Sequence, residues 1–270
     1  MNFTEIAFAK INLALHVRRK REDGYHEIET VFAFVDAGDV LHAEPAERDR
    51  LSIHGEFGRA LEDPFGNSVT EALGALPRPT GLAITLEKNL PVAAGLGGGS
   101  ADAGAVFRLI ERIHGLPEDW RERAAALGAD VPACVASVTC IGRGIGTELE
   151  PVEGEFSGMP VLLVNPRVTL STAAVYGAWD GVDRGPLPQG DLTMVAWQGR
   201  NDLEQAAIGL CPEIAVVLKE VRDTQPWFAR MSGSGATCFG LFETEERLLE
   251  ARRRLAAAHP GWWQMQGKLR

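Results

Sequence analysis

Pro91-Val-Ala-Ala-Gly-Leu-Gly-Gly-Gly-Ser-Ala-Asp-Ala-Gly-Ala105 is the stretch on which the reading turns. Gly95, Gly97, Gly98 and Gly99 let the backbone approach a ligand closely and aim successive N–H groups at it. Directly after them, Ala105, Val106, Leu109, Ile110 and Ile113 recur at helical spacing, and Gly115 with Pro117 stops that helix. A helix starting just after Ser100 adds its positive end, so loop and helix together form an anion site suited to the phosphates of a nucleotide. No Gly-Lys-Ser/Thr follows, which excludes a Walker A loop. Ser100 occupies the third glycine position and no βαβ unit surrounds it, which excludes a dinucleotide fingerprint. On composition alone, the alternative is a flexible turn ahead of a helix.

Upstream, Ile6-Ala-Phe-Ala-Lys-Ile-Asn-Leu-Ala-Leu-His-Val17 reads as a strand with Ala7, Ala9, Ile11, Leu13, Leu15 and Val17 on one face. Lys10 and Asn12 therefore share the other face. Further strands are expected at 29–34, 40–43, 51–53 and 82–87, and one helix at 68–76 with Asn67 as its cap. Downstream, a helix at 117–127 ends at Gly128, and a short one follows Asp130 at 132–136. Glu150 to Pro160 reads as a linker. Beyond it come a strand at 161–164, a loop at 180–191 rich in Gly, Pro and Asp, helices at 202–207 and 213–221, a strand–glycine turn–strand at 229–242, and a charged helix at 245–258. The alternation predicts an α+β fold in two domains, 1–155 and 156–270.

Composition narrows the functions. The chain has 270 residues, 45% hydrophobic and 24% charged, with a net charge of −10. Dominant disorder is excluded, and sequence-independent nucleic-acid binding or docking on an anionic membrane is disfavoured. Any phosphate must be held by local backbone groups and a few cations. Cys134, Cys140, Cys211 and Cys238 have no CxxC spacing, and the histidines no metal spacing, so reduced thiols and no metal-ligating residues are expected. The N-terminus shows no secretory signal and no run spans a bilayer, giving a cytoplasmic expectation.

The remaining candidates are open on residues alone. Lys10 is either a solvent-facing edge lysine or a functional cation. Asp130 is either the N-cap of the helix containing Pro132 or a fixed carboxylate base, and the two are compatible. Gly24-Tyr25-His26 suits recognition of a planar heterocycle, or is a partly buried hairpin pair. Gly142-Arg-Gly-Ile-Gly146 and Met231-Ser-Gly-Ser-Gly-Ala236 are each explained by a hairpin turn or bulge.

Taken together, Ala9-Lys-Ile-Asn12, Pro91 to Ser100 and Met231 to Ala236 resemble, in order, the three motifs of the GHMP kinases. Gly24-Tyr-His26, Leu127-Gly-Ala-Asp-Val-Pro132 and Asn201-Asp-Leu-Glu204 resemble the branch whose substrate is a sugar alcohol bearing cytidine diphosphate. The resemblance covers residues 7 to about 242. It implies an N-terminal domain like the second domain of ribosomal protein S5 and a ferredoxin-like C-terminal domain. It also implies transfer of the γ-phosphoryl group of ATP to a C2 hydroxyl, with Mg²⁺ arriving with ATP. Asp130 would be the catalytic base and Lys10 its partner. Pro91, Gly95, Leu96, Gly97, Gly98, Gly99, Ser100 and Asn67 would bind ATP. Asn12, Tyr25, His26, Thr172, Tyr176, Gly233 and Gly235 would bind the substrate, with Tyr25 and Tyr176 sandwiching the pyrimidine. The family often has Asp-Asn-Leu where this chain has Gly66-Asn67-Ser68. A kinase for homoserine or mevalonate, or a non-catalytic nucleotide-binding module, are the other readings; the absence of a base on those two alcohols leaves Gly24-Tyr25-His26 without a purpose.

Overall fold

The computed structural model describes residues 2–61, 66–152 and 156–270, so the expected domain boundary at 155 lies outside the described residues. The chain packs as two compact units, and neither is contiguous: 1–10, 37–92 and 97–137 form the first, and 11–36, 93–96 and 138–270 the second. This differs from the single cut expected near 155. The reason is two strands longer than the sequence suggests, β1 (Phe3–Lys20) and β2 (His26–Ala46), which pair with each other and contribute to both units. The segments 29–34 and 40–43 are parts of the one strand β2.

In the first unit, residues 40–46 of β2 pair antiparallel with β4 (Gly81–Glu87), which pairs parallel with β3 (Arg50–His54). β4 alternates buried and half-buried residues along its length, the pattern of a strand with one covered face. Its helices are α1 (Ser68–Ala75), α2 (Gly98–His114), α3 (Trp120–Leu127) and α4 (Val131–Ala136). α2 packs against α1 and α4 and buries an unbroken run from Ala101 to Phe107. A Cβ on Gly104 would lie 2.6 Å from the carbonyl carbon of Cys134, so only glycine lets α4 come this near to α2. Arg108 then ties α2 to α4 and to β1, donating to Cys134 O, Ser137 Oγ, Ile6 O and the Glu5 carboxylate.

In the second unit, residues 30–32 of β2 pair with β5 (Cys140–Arg143), which forms a hairpin with β6 (Glu148–Pro151) around Gly144 and Gly146. The first of the two small glycine clusters is thus a hairpin turn. A separate antiparallel sheet has the order β10 (Trp263–Lys268), β7 (Pro160–Asn165), β9 (Cys238–Leu241), β8 (Phe228–Met231). Its helices are α5 (Thr172–Gly177), α6 (Leu192–Gln198), α7 (Glu204–Leu210), α8 (Glu213–Arg222) and α9 (Glu245–Ala258). Leu162, Val164, Val217, Val221, Phe242 and Leu255 belong to its core. The 178–191 loop is tied down by His16 Nδ1 to Gly185 O, Arg18 Nε to Asp183, and Leu187 N–H to Glu29. All four cysteines are buried free thiols. Among the described residues, no helix is long and apolar enough to cross a membrane.

One buried charge cluster supports the first unit. Lys88 Nζ donates to Asp39 Oδ2 at 2.5 Å and to Asp102 Oδ2 at 2.6 Å, and all three side chains are almost wholly excluded from water. Asp39 Oδ1 also accepts the N–H groups of Asn89 and Leu90, fixing the chain that leads into the glycine loop. Asp102 Oδ1 has no partner. Burial pushes the Asp102 carboxyl up to about 8; Lys88 pulls it down and Asp39 pushes it further up. A carboxyl whose folded value stands above its ordinary 3.8 favours the folded state fully below that value, and this contribution is lost as pH rises toward 8. Replacing Asp102 with Asn should therefore flatten the fall in stability between pH 4 and pH 8, measured as urea midpoints. Lys88→Met, which leaves two buried carboxyl groups without their cation, should cost about 3–5 kcal/mol at pH 7.

Candidate active site

β1 positions Lys10. Its second face is covered: Lys10, Asn12, Ala14 and His16 are all buried, and Lys10 is only 4% exposed, which removes the reading of an edge lysine facing solvent. Asp130 does occupy the N-cap position of α4, but its side chain makes no capping bond. It forms an ion pair with Lys10 instead, Nζ to Oδ2 at 3.0 Å. The carboxylate is 30% exposed while its lysine is 6% exposed, so the acid side chain reaches solvent and the cation lies inside it.

The same pair borders the start of α2. Gly97 is the N-cap of that helix, with φ at 63°, and a Cβ there would lie 3.0 Å from Lys10 Cε and 3.9 Å from Asp130 Oδ2. Ala101 N–H bonds back to Gly97 O, leaving Gly98, Gly99 and Ser100 to offer the N–H groups that no helix can satisfy internally. An anion-accepting helix end and a lysine–aspartate pair thus lie side by side within one unit.

The glycines themselves carry a correction. The expectation was that they clear space for a ligand. The space beside each is taken by protein: Gly98 faces Lys88 Nζ at 3.2 Å and Gly99 faces Ser68 Oγ at 2.8 Å. Gly95, in the second unit, would place a Cβ 2.3 Å from Ser232 O. Ser232 Oγ donates to Gly95 O at 2.7 Å, and Thr237 N–H donates to Ala94 O. The Met231–Ala236 turn is therefore a clamp on residues 94–95. Gly233 and Gly235 belong to it, both buried with positive φ. Pro91 and Leu96 are buried beside the loop.

Asn67 caps α1 through Oδ1 to Val69 N–H at 2.9 Å, which leaves its Nδ2 for another partner. Asn12 Nδ2 donates to Thr30 Oγ1, which passes the bond on to Ala14 O, while Asn12 N–H donates to Ser232 Oγ. Asn12 is thus a buried link between β1, β2 and the clamp. Thr172 Oγ1 lies 3.0 Å from Ser234 Oγ. His26 and Tyr176 come together with ring centres 4.8 Å apart and planes at 38°. Trp179 meets the same imidazole edge-on at 5.8 Å. Tyr25 is 55% exposed at the turn before β2. Trp179 is a member of this group that motif reading missed, although an aromatic residue three positions after Tyr176 was a usable signal. Burial, with a further push from Lys20, lowers the His26 pKa, so the ring is neutral at pH 7.

The family profile for the GHMP kinases N terminal domain matches residues 65–138, and that for the GHMP kinases C terminal matches residues 190–261. A protein named 4-diphosphocytidyl-2-C-methyl-D-erythritol kinase from Novosphingobium aromaticivorans is 63% identical over 270 residues, covering 100% of this chain and 94% of that protein. One of the same name from Erythrobacter litoralis is 62% identical, covering 98% of this chain and 99% of its own length. The chain belongs to the 4-diphosphocytidyl-2-C-methyl-D-erythritol kinase family of GHMP kinases. A crystal structure titled 4-(cytidine 5'-diphospho)-2C-methyl-D-erythritol kinase superposes with a TM-score of 0.81 at 34% identity, covering 99% of both chains. Homoserine kinase from Cytophaga hutchinsonii shares the fold, with a TM-score of 0.70 at 18% identity over 99% of this chain and 95% of that one. This kinase thus has the two-domain α+β GHMP fold expected from its motifs.

The clamp gives this kinase a testable weakness. Gly95→Ala combines a positive φ of 76° with a backbone clash, and should lower stability by more than about 2 kcal/mol in urea unfolding without nucleotide present.

Proposed function

We propose that this kinase transfers the γ-phosphoryl group of ATP to the C2 hydroxyl of 4-diphosphocytidyl-2-C-methyl-D-erythritol, on the methylerythritol phosphate route to isoprenoid precursors. The observation that carries the reading is the Lys10–Asp130 pair, 3.0 Å apart, beside the open N-terminus of α2. Phosphoryl transfer needs an acceptor hydroxyl aimed in line and relieved of its proton, with the charge of the moving group stabilised. Asp130 takes that proton, since its carboxylate spends no oxygen on the helix it caps. Lys10 pairs with that carboxylate and answers charge that develops on the transferred oxygens. The N–H groups of Gly98, Gly99 and Ser100 hold the phosphates.

Mg²⁺ is expected to arrive with ATP. Among the described residues no three His, Cys, Asp or Glu side chains converge on one point, and Asp102 is committed to Lys88. With ATP bound, phosphate oxygens and water would supply most of the ion's ligands.

At the cytidine end, neutral His26 offers one donor and one acceptor to the polar edge of the base. Tyr176 and Trp179 orient that imidazole, and Tyr25 is the ring left to cover the pyrimidine. The net charge of −10 on the chain as a whole favours a small-molecule substrate over nucleic acid.

An ADP-release assay across candidate alcohols should show turnover only when the cytidine diphosphate group is attached; equal turnover of homoserine or mevalonate would overturn the reading. Asp130→Asn should lower kcat on the order of 10²–10⁴-fold while ATP affinity stays within about twofold. The uridine analogue exchanges a donor for an acceptor and should lose at least about tenfold in kcat/KM, with His26→Ala narrowing the gap.

A further inference from the structure

The second unit holds a cleft of about 490 Å³ whose arginines the proposed mechanism does not use: Arg184, Arg200, Arg222 and Arg230 line it together with Trp179. Asp180 and Asp202 there are already neutralised, by Arg184 and Arg200 respectively. Glu204 is the remaining carboxylate, so four guanidinium groups face three acids in a chain whose net charge is −10.

Among the described residues, two of the arginines lack an ion partner. Arg230 is held on three backbone carbonyls, those of Leu13, Ala196 and Gly199, and by no carboxylate. Three bonds leave two of its five N–H groups unspent. Burial lowers its pKa to about 10; Glu204 opposes the shift and Arg222 adds to it. Arg222, exposed at the end of α8, has neither hydrogen bond nor ion pair on its guanidinium among the described residues. Trp179 also lines the cleft, and among the described residues its buried indole Nε1–H has no partner. Arg200 uses two N–H groups, on Asp202 and Gly185 O, and keeps the rest.

We propose that this cleft binds the phosphate group of a small anion, with Arg222 and Arg230 supplying charge and Trp179 Nε1–H a directed donor. Donors arriving from α8, from β8 and from the segment after α5 fit a tetrahedral dianion, whose oxygens accept from several directions, better than a planar carboxylate. Because Trp179 also packs edge-on against His26, an occupant would hold the ring that orients the imidazole.

The test is calorimetric titration of the whole chain with inorganic phosphate and with pyrophosphate, at an ionic strength fixed by chloride. Saturable binding is expected, weakened at least about tenfold in Arg222→Ala and partly retained in Arg222→Lys. Arg222 is exposed and spends its side chain on no other residue, so its replacement leaves the fold intact, which circular dichroism checks. Trp179→Phe should weaken binding severalfold by removing one N–H while keeping an aromatic ring. No saturable binding to the wild-type protein would overturn the proposal. So would affinity unchanged in Arg222→Ala, which would put the anion on the glycine loop instead. Neither outcome depends on which alcohol is phosphorylated.

Discussion

The approach of α4 to α2 is the constraint on which the site depends. At Gly104 the two backbones leave no room for a methyl group, and one turn later Arg108 bonds both α4 and β1. Helix and strand are thereby fixed to the same short stretch of α2. Lys10 lies on that strand and Asp130 at the head of that helix, so their 3.0 Å separation is set by backbone packing rather than by the attraction between them. Opposite charges at that distance near a protein surface gain only a few kcal/mol, and less once desolvation is counted. The pair is better understood as held in place than as holding anything.

Much of this was readable from the chain alone. The glycine loop, its helix, and the short helix behind Asp130 were visible because glycine clusters and helical periodicity are local signals. The burial of Lys10 was not, since alternation along a strand says nothing about what covers its second face. Lys88 directly follows the strand expected at 82–87, and Asp39 and Asp102 lie 49 and 14 residues away from it. A buried trio assembled from three elements leaves no periodic trace. β6 and β10, with Glu148-Leu-Glu-Pro151 and Trp263-Gln-Met-Gln-Gly-Lys268, carry too much polarity to read as strands; their partners impose the conformation.

The glycine motif also shows how a correct location can come with an incomplete reason. Its residues were read as making room for phosphates. Their missing side chains make room for Lys88, Ser68 and the backbone of the 232–235 turn. The N–H groups of α2 still point outward by helix geometry, but what demands glycine is the protein packed behind the loop.

That clamp has a consequence for how the chain folds. Gly95 O is bonded by a hydroxyl 137 residues further along, so the loop lacks its support until nearly the whole polypeptide is available. Contacts of such sequence separation are closed late, after the entropy of a long intervening segment has been lost. On the ribosome, α2 can form while its entry loop is still unsupported.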